Sequence, residues 1–250
     1  MWENYRVAVY TGTRNLYPLM VPAVKSMICN SNVDEIWLYI EDDEFPKEYE
    51  IPTDIVKTKN VSKQTYFKPD GPNMKSNFTY MALMRAALYK EFPDLDRVLA
   101  LDVDTIVVND ISNLWDLPLY DKYYFAASKE PGATDHYKKK FGKKTLYTNV
   151  GVCLQNLTKF RDGMGDDIIE ELNTKEYKYV DQDVFNFKCQ GAIYDMPSQY
   201  NACGFTLSCS QPKIAHFAGV KDWSEMPLIQ QWDDISWDQV FKYRKRVYGR

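Results

Sequence analysis

The stretch Val98-Leu99-Ala100-Leu101-Asp102-Val103-Asp104 decides the reading of this chain. Its first four residues form an unbroken apolar run, the pattern of a buried strand. The run delivers two carboxylates, one residue apart, to the strand's carboxyl end, where ligands bind in open α/β sheets. Two hard oxygen ligands suit Mg2+ or Mn2+, ions commonly shared with substrate phosphates. The stretch therefore points to a nucleotide held through a divalent ion, with a nucleotide sugar as the first idea. Asp-x-Asp alone also fits a solvated strand-end turn, so the surrounding sequence has to decide.

Upstream, Val7 to Tyr10 reads as a first strand, Thr11 to Asn15 as a polar loop and Val21 to Met27 as a helix. Ile36 to Ile40 is a second strand, closed by the acidic turn Glu41-Asp42-Asp43-Glu44, and Ile55 to Lys57 a short third. Val61 to Asn77, rich in Lys, Pro and Gly, reads as a loop. Met81, Met84 and Leu88 share one helical face in Tyr80 to Phe92, and Pro93 stops that helix. Downstream, Tyr124 to Ala127, Gly151 to Leu154 and Ile214 to Phe217 read as strands. Asp166 to Leu172, Val184 to Phe187 and Trp237 to Tyr248 read as helices. Strand-helix alternation predicts an α/β fold. No linker or repeat interrupts residues 1–250, so one domain is expected, with a lid in Gly132 to Lys144 and a helical tail over 226–250.

Bulk properties narrow the function. At 250 residues, with 45% hydrophobic and 26% charged residues, the chain can bury a substantial core as a globular protein. A net charge of -4 argues against a general nucleic-acid partner. The 19 tyrosines fit core packing before they fit sugar stacking. Cys29, Cys153, Cys189, Cys203 and Cys209 are odd in number and form no Cys-x-x-Cys pair. That predicts reduced thiols, a cytoplasmic protein and no structural zinc. The start is polar and unlike a signal peptide, and no apolar stretch approaches the roughly 20 residues that span a bilayer.

Three further segments carry chemistry. Asn149-Val150-Gly151-Val152 places an amide beside a glycine that lets a ligand approach the backbone, although it also fits the ordinary start of a strand. Asp181-Gln182-Asp183 opens a helix at Val184. Carboxylates there read either as helix capping or as groups set against a reacting sugar, whose oxocarbenium-like state favours nearby negative charge. His216-Phe217-Ala218-Gly219-Val220-Lys221-Asp222-Trp223 ends an apolar strand on one of only two histidines. It continues with a glycine and a lysine suited to phosphate oxygens.

These four segments, in this order, resemble glycosyltransferase family 8, the retaining GT-A enzymes that include bacterial lipooligosaccharide galactosyltransferases and glycogenin. The resemblance runs from Val7 to about Trp223. It implies a single GT-A domain, a Rossmann-like mixed central sheet flanked by helices. It implies Mn2+ or Mg2+ on Asp102, Asp104 and His216, with a UDP-sugar as donor. Arg85, Asn149 and Gly151 match positions beside the donor sugar, and Gly219 and Lys221 match the diphosphate loop. Thr11, Thr13, Asn15 and Val103 complete the expected donor set. Asp181, Gln182 and Asp183 match the segment on the sugar's far face, with Gln182 at the position discussed as nucleophile or ion-pair stabiliser. Together with Lys221 they make the expected catalytic set. The implied activity is retaining transfer of a hexose, glucose or galactose, to a glycan, lipid-linked or protein acceptor.

The chain departs from the family in two places. Thr13 and Leu16 stand where the first loop usually has an acid and a stacking tyrosine, with Tyr17 adjacent. The closing motif lacks one residue before Lys221 and has Asp222 in place of proline. Two alternatives remain at this stage: a haloacid-dehalogenase-like phosphotransferase with Asp102 as nucleophile, and a nucleotide-sugar-binding protein without turnover. The tail Lys242 to Arg250 is basic and aromatic; it fits a solvated helix or peripheral contact with an anionic membrane.

Overall fold

The computed structural model describes residues 5–49, 51–52, 54–76, 78, 80–130, 137, 139, 142, 146–203 and 211–250. The expected lid, Gly132 to Lys144, falls outside the described residues apart from three isolated positions, as does Cys209.

In the first half, β1 (Val7–Thr11), α1 (Tyr17–Cys29), β2 (Glu35–Ile40), β3 (Val56–Asn60), α2 (Leu88–Glu91) and β4 (Arg97–Leu101) alternate as expected. Then come β5 (Thr105–Val107), β6 (Phe125–Lys129), β7 (Thr148–Asn156), α3 (Leu157–Phe160), α4 (Met164–Thr174) and α5 (Val180–Lys188). The chain continues through β8 (Ile193–Asp195), β9 (Ala202–Cys203), β10 (Ile214–His216), α6 (Pro227–Asp234) and α7 (Trp237–Tyr248). Seven strands make one sheet in the order β3-β2-β1-β4-β7-β6-β8, and β5-β10-β9 make a second. In the large sheet β3, β2, β1 and β4 are parallel, while β7 runs antiparallel to both β4 and β6.

The alternating side chains of each strand feed two separate cores. Ala8 pairs with Leu99 and Leu99 with Leu154, and all three enter the cluster under α1. Their neighbours Val9, Ala100 and Cys153 enter the cluster on the other face, with α4 and α5. Burial on both faces explains why these strands read as unbroken apolar runs. The result is a single α/β domain with a mixed central sheet flanked by helices.

Several elements differ from the sequence reading. Tyr80 to Ala87 is a 3-10 helix that becomes α-helical only at Leu88. With three residues per turn, Ala82 and Arg85 stack in line, and both face the site described below. The third strand is longer and lies one residue later than expected, β7 spans nine residues rather than four, and α5 starts four residues earlier. The sequence reading passes over the one-turn helix α3 and the strands β5, β8 and β9, each of two or three residues, whereas α6 falls within the expected helical tail.

The terminal helix α7 opens on a capping box between Ser236 and Gln239 and ends at Gly249, φ +75°. It packs on α1. Arg244 turns inward, Arg250 pairs with Asp34 and Tyr248 bonds Asp110, so this basic tail straps the fold. Nothing in that packing supports membrane contact. Among the described residues no helix is long and apolar enough to cross a membrane, and Cys29, Cys153 and Cys189 are buried free thiols.

Candidate active site

Asp102 and Asp104 straddle the junction between the two sheets. The Asp102 amide donates to Gly151 O on β7 at 2.8 Å, the last tie of the large sheet. Thr105 Oγ1 then donates to Asp102 O at 2.7 Å, closing the turn into β5. Because β5 pairs antiparallel with β10, His216 sits opposite Thr105, and Phe217 N donates to Asp104 O at 2.9 Å. That register carries His216 to the acidic pair. Ligand atoms of Asp102, Asp104 and His216 all lie within 4.8 Å of one another.

The imidazole is oriented from behind. Asn201 Nδ2 donates to Asn149 Oδ1 at 3.0 Å, so Asn201 Oδ1 is left to accept from His216 Nδ1 at 2.8 Å. A proton on Nδ1 turns the Nε2 lone pair toward the carboxylates. Among the described residues Nε2 is buried with no hydrogen bond, 3.3 Å from Asp104 Oδ1 and 3.7 Å from Asp102 Oδ2. Burial opposes a charge on this ring, yet Asp104 and then Cys203 hold its pKa well above the ordinary histidine value. The cluster attracts a positive charge, as a proton or as a metal ion. Two carboxylates and one imidazole with an unshared lone pair fit a hard divalent ion such as Mn2+ or Mg2+.

Gly151 makes the convergence possible. A Cβ there would collide with the His216 ring, sit 2.5 Å from Asp102 Oδ2 and 3.0 Å from Asn149 Oδ1. The glycine is needed for close packing of side chains.

The cluster opens into a cavity of about 490 Å3, lined also by Phe78, Ala82, Arg85, Glu130, Asn149, Tyr179, Val180, Asp181, Gln182, Ala218 and Gly219. Arg85, 4% exposed, donates to Asp181 at 2.7 Å and forms a close ion pair with Asp102. Burial pushes the Asp181 carboxyl up to about 6, partly offset by Arg85. Gln182 accepts from Val150 N at 3.2 Å and donates to Tyr147 Oη at 2.7 Å, which fixes its amide. Val180, just before this pair, has φ +32°, a strained conformation for a β-branched residue.

Not every expected site residue reaches the cavity. Asp183 is fully buried away from it, accepting from Tyr147 Oη and from the Tyr179 amide. On a helix Asp181 and Asp183 point in nearly opposite directions, so only one can face the ligand. Val103 is buried beneath Gly12 in the α1 core, so its side chain is closed to a ligand. Thr11, Thr13 and Asn15 do not line this cavity, and Thr13 donates to Asn15 at 2.6 Å. Tyr17 is buried, its hydroxyl donating to Asp42 and accepting from Glu41 N, so it does not replace the missing stacking tyrosine. Lys221 stands exposed beyond Gly219 (φ +71°) and outside the lining. Conversely, Asn201 and Glu130 escape the sequence reading. Glu130 accepts from Asn149 at 2.7 Å and rims the cavity, but it lies in no motif.

Comparison with known proteins agrees with this geometry. A family model described as glycosyl transferase family 8 matches residues 7–226. Glycosyltransferase GlyE of Streptococcus pneumoniae is 26% identical over 213 residues, covering 80% of this chain and 48% of its own. A Haemophilus influenzae protein named as a glycosyltransferase is 27% identical over 154 residues, 56% of this chain and 46% of its own. The chain thus spans about half the length of these curated relatives. Among solved structures, the galactosyltransferase LgtC, in complex with donor and acceptor sugar analogs, superposes with a TM-score of 0.68. It is 19% identical, over 91% of this chain and 95% of LgtC, a likeness in GT-A fold.

Proposed function

We propose, for a chain that belongs to glycosyl transferase family 8 and is thereby a glycosyltransferase, retaining transfer of a hexose from a UDP-sugar to a glycan or glycoconjugate acceptor, dependent on Mn2+ or Mg2+. The observation that carries the metal-dependent reading is the buried, unbonded Nε2 of His216 beside the carboxylates of Asp102 and Asp104. These three residues would hold the ion. When bound, a divalent ion supplies Lewis-acid stabilisation of the leaving diphosphate.

The chain's own residues supply the rest. Arg85 ties Asp102 to Asp181 and so keeps the cation end and the sugar end in one register. Gln182 Oε1 spends one lone pair on the Val150 amide and offers the other to positive charge developing on the sugar. Asp181 adds negative charge beside it. Asn149, held by Glu130 and Asn201, would face the donor sugar, and the turn at Gly219 would serve the diphosphate, with Lys221 exposed just beyond it as a further positive charge. Asp183 and Val103 act from behind as packing and positioning residues. The departing phosphate oxygen accepts the acceptor hydroxyl's proton, so no separate strong base is required. The buried thiols of Cys29, Cys153 and Cys189 fit a reducing, cytoplasmic setting.

The test is UDP release from UDP-glucose and UDP-galactose with Mn2+, Mg2+ or chelator. Activity should vanish with chelator, and an Asp102→Ala, Asp104→Ala double variant should lose about a thousandfold or more, the scale of several kcal/mol. Full turnover in the double variant would overturn the reading. Release of phosphate from simple phosphomonoesters would instead favour the phosphotransferase alternative.

A further inference from the structure

A second cavity, of about 460 Å3, is lined by Lys75, Ser76, Glu176, Tyr177 and Lys178. It adjoins the cation cavity along two chain segments. Lys178 directly precedes Tyr179, and Ser76 lies two residues before Phe78; both aromatics line the cation cavity. At about 3.5 Å of chain per residue, the backbones of the two linings come within about 7 Å of each other. Ser76 fixes one of these steps, its hydroxyl donating to Phe78 O at 2.9 Å and accepting from Phe78 N at 3.2 Å.

The lining residues of the cation cavity nearest in sequence to these segments are aromatic. Phe78 and Tyr179 lie 6.3 Å apart, centroid to centroid, and Phe78 is 46% exposed. A large apolar ring left in water at a cavity mouth is a surface for a ligand's apolar face. Lys178 Nζ sits 4.9 Å over the Tyr179 ring, which draws the ammonium toward that surface.

Beyond the aromatics the charge is left open. Neither Lys75 nor Lys178 forms an ion pair with a described carboxylate, Glu176 of the same cavity included. Their neighbours are treated differently: Lys175 and Lys188 both close on Glu171, at 2.8 and 3.3 Å. Two ammonium groups around one cavity, without a carboxylate partner among the described residues, repel each other, and an anion between them relieves that repulsion. This occurs in a chain whose net charge is -4.

We propose that the acceptor is anionic. A ring of the acceptor lies on Phe78 and Tyr179, and a carboxylate or phosphate on that sugar or its neighbour is held by Lys75 and Lys178. The inference rests on the glycosyl-transfer reading, which commits the cation end of the first cavity to the donor diphosphate and leaves the aromatic end for the acceptor. A lysine ammonium is a point charge without the planar fork of arginine, so it serves either anion.

The experiment offers the full chain matched sets of one alkyl glycoside: neutral, with a carboxylate at C6, and with a phosphate at C6, each with UDP-sugar and Mn2+. Transfer is read as the ratio of acidic to neutral acceptor. The wild-type chain should favour at least one acidic member by about tenfold, the scale of two exposed charge pairs. The carboxylate and phosphate arms identify which anion is used. Raising salt from about 50 to 300 mM should shrink the preference. Lys75→Glu with Lys178→Glu should bring the ratio to one or below, and Lys75→Arg with Lys178→Arg should keep it. Melting curves of both variants confirm that they fold. The proposal is overturned if no acidic member exceeds its neutral twin, or if charge reversal leaves the ratio unchanged. The two failures are separable: loss of the wild type's metal-dependent UDP release sinks the glycosyl-transfer reading, whereas intact release with a flat ratio sinks only the anionic acceptor.

Discussion

Arg244 and His216 are both almost wholly buried, 5% and 2% exposed, and the fold treats them in opposite ways. Arg244, in the strap formed by α7, donates to the carbonyls of Ile28, Ser31 and Val33 at 3.3, 3.4 and 2.6 Å. Those oxygens lie at and just beyond the end of α1, where carbonyls lack helical partners. His216 uses one nitrogen on Asn201 and leaves the other without a hydrogen bond among the described residues. Tyr10 Oη and Asn32 Oδ1 are also unbonded among the described residues. What sets His216 apart is its membership of a cluster of metal-ligating side chains. The scaffold answers its buried arginine from within, and the site leaves a nitrogen for something to be bound.

The sharpest way to break this comparison is Arg244→Ala. Three carbonyls would lose a charged donor and the buried stem would go, costing about 3 kcal/mol of stability. Cation affinity should not change. Urea denaturation paired with Mn2+ titration checks both, and a joint loss would mean that strap and site are one unit.

Gly151→Ala attacks the other side. The added methyl meets the His216 ring and Asp102. It should cost about 2 kcal/mol of stability, as overpacking does, and weaken cation binding with it. Normal Mn2+ affinity in this variant would show that the cluster relaxes freely.

Asp181 sharpens the comparison through pH. Its carboxyl is raised from 3.8 to about 6, chiefly by burial. The folded chain therefore holds that proton more tightly than the unfolded one. The contribution to stability is full below about pH 4 and is lost as pH rises through about 6, on the order of 3 kcal/mol. Asp181→Asn should flatten the stability profile between those values; an unchanged slope in denaturation curves at stepped pH would contradict it.

The smallest effect is expected from Asn201→Ala, which leaves the cluster intact but removes the acceptor on His216 Nδ1 together with the donor to Asn149. Cation affinity should fall at least tenfold, with little change in melting temperature. Equal affinity in wild type and variant would mean that packing alone orients the ring.

Legibility in the sequence followed the range of the forces involved. The helix Trp237–Tyr248 was readable to its bounds because its ends are set by local residues, Ser236 and Gly249. The strand before Asp102 was readable because burial on both faces leaves an unbroken apolar run. The strands β5, β8 and β9 were not, being two or three residues long and held by partners far away in sequence. The 3-10 form of Tyr80 to Ala87 was hidden too, because its apolar spacing also suits an α-helix.

Residue order by itself determined the alternating α/β core, the pair Asp102 and Asp104, the candidate His216 and the family. These depend on local pattern and on motifs that survive in a single chain. Only the tertiary structure decided that Asp181 faces the cleft and Asp183 does not, that Gly151 clears space for a histidine 65 positions later, and that Asn201 turns that histidine's free nitrogen toward the carboxylates. Each outcome depends on the phase of a helix or the register of a short strand. Such phases are set by contacts between distant segments, which no local window of sequence contains.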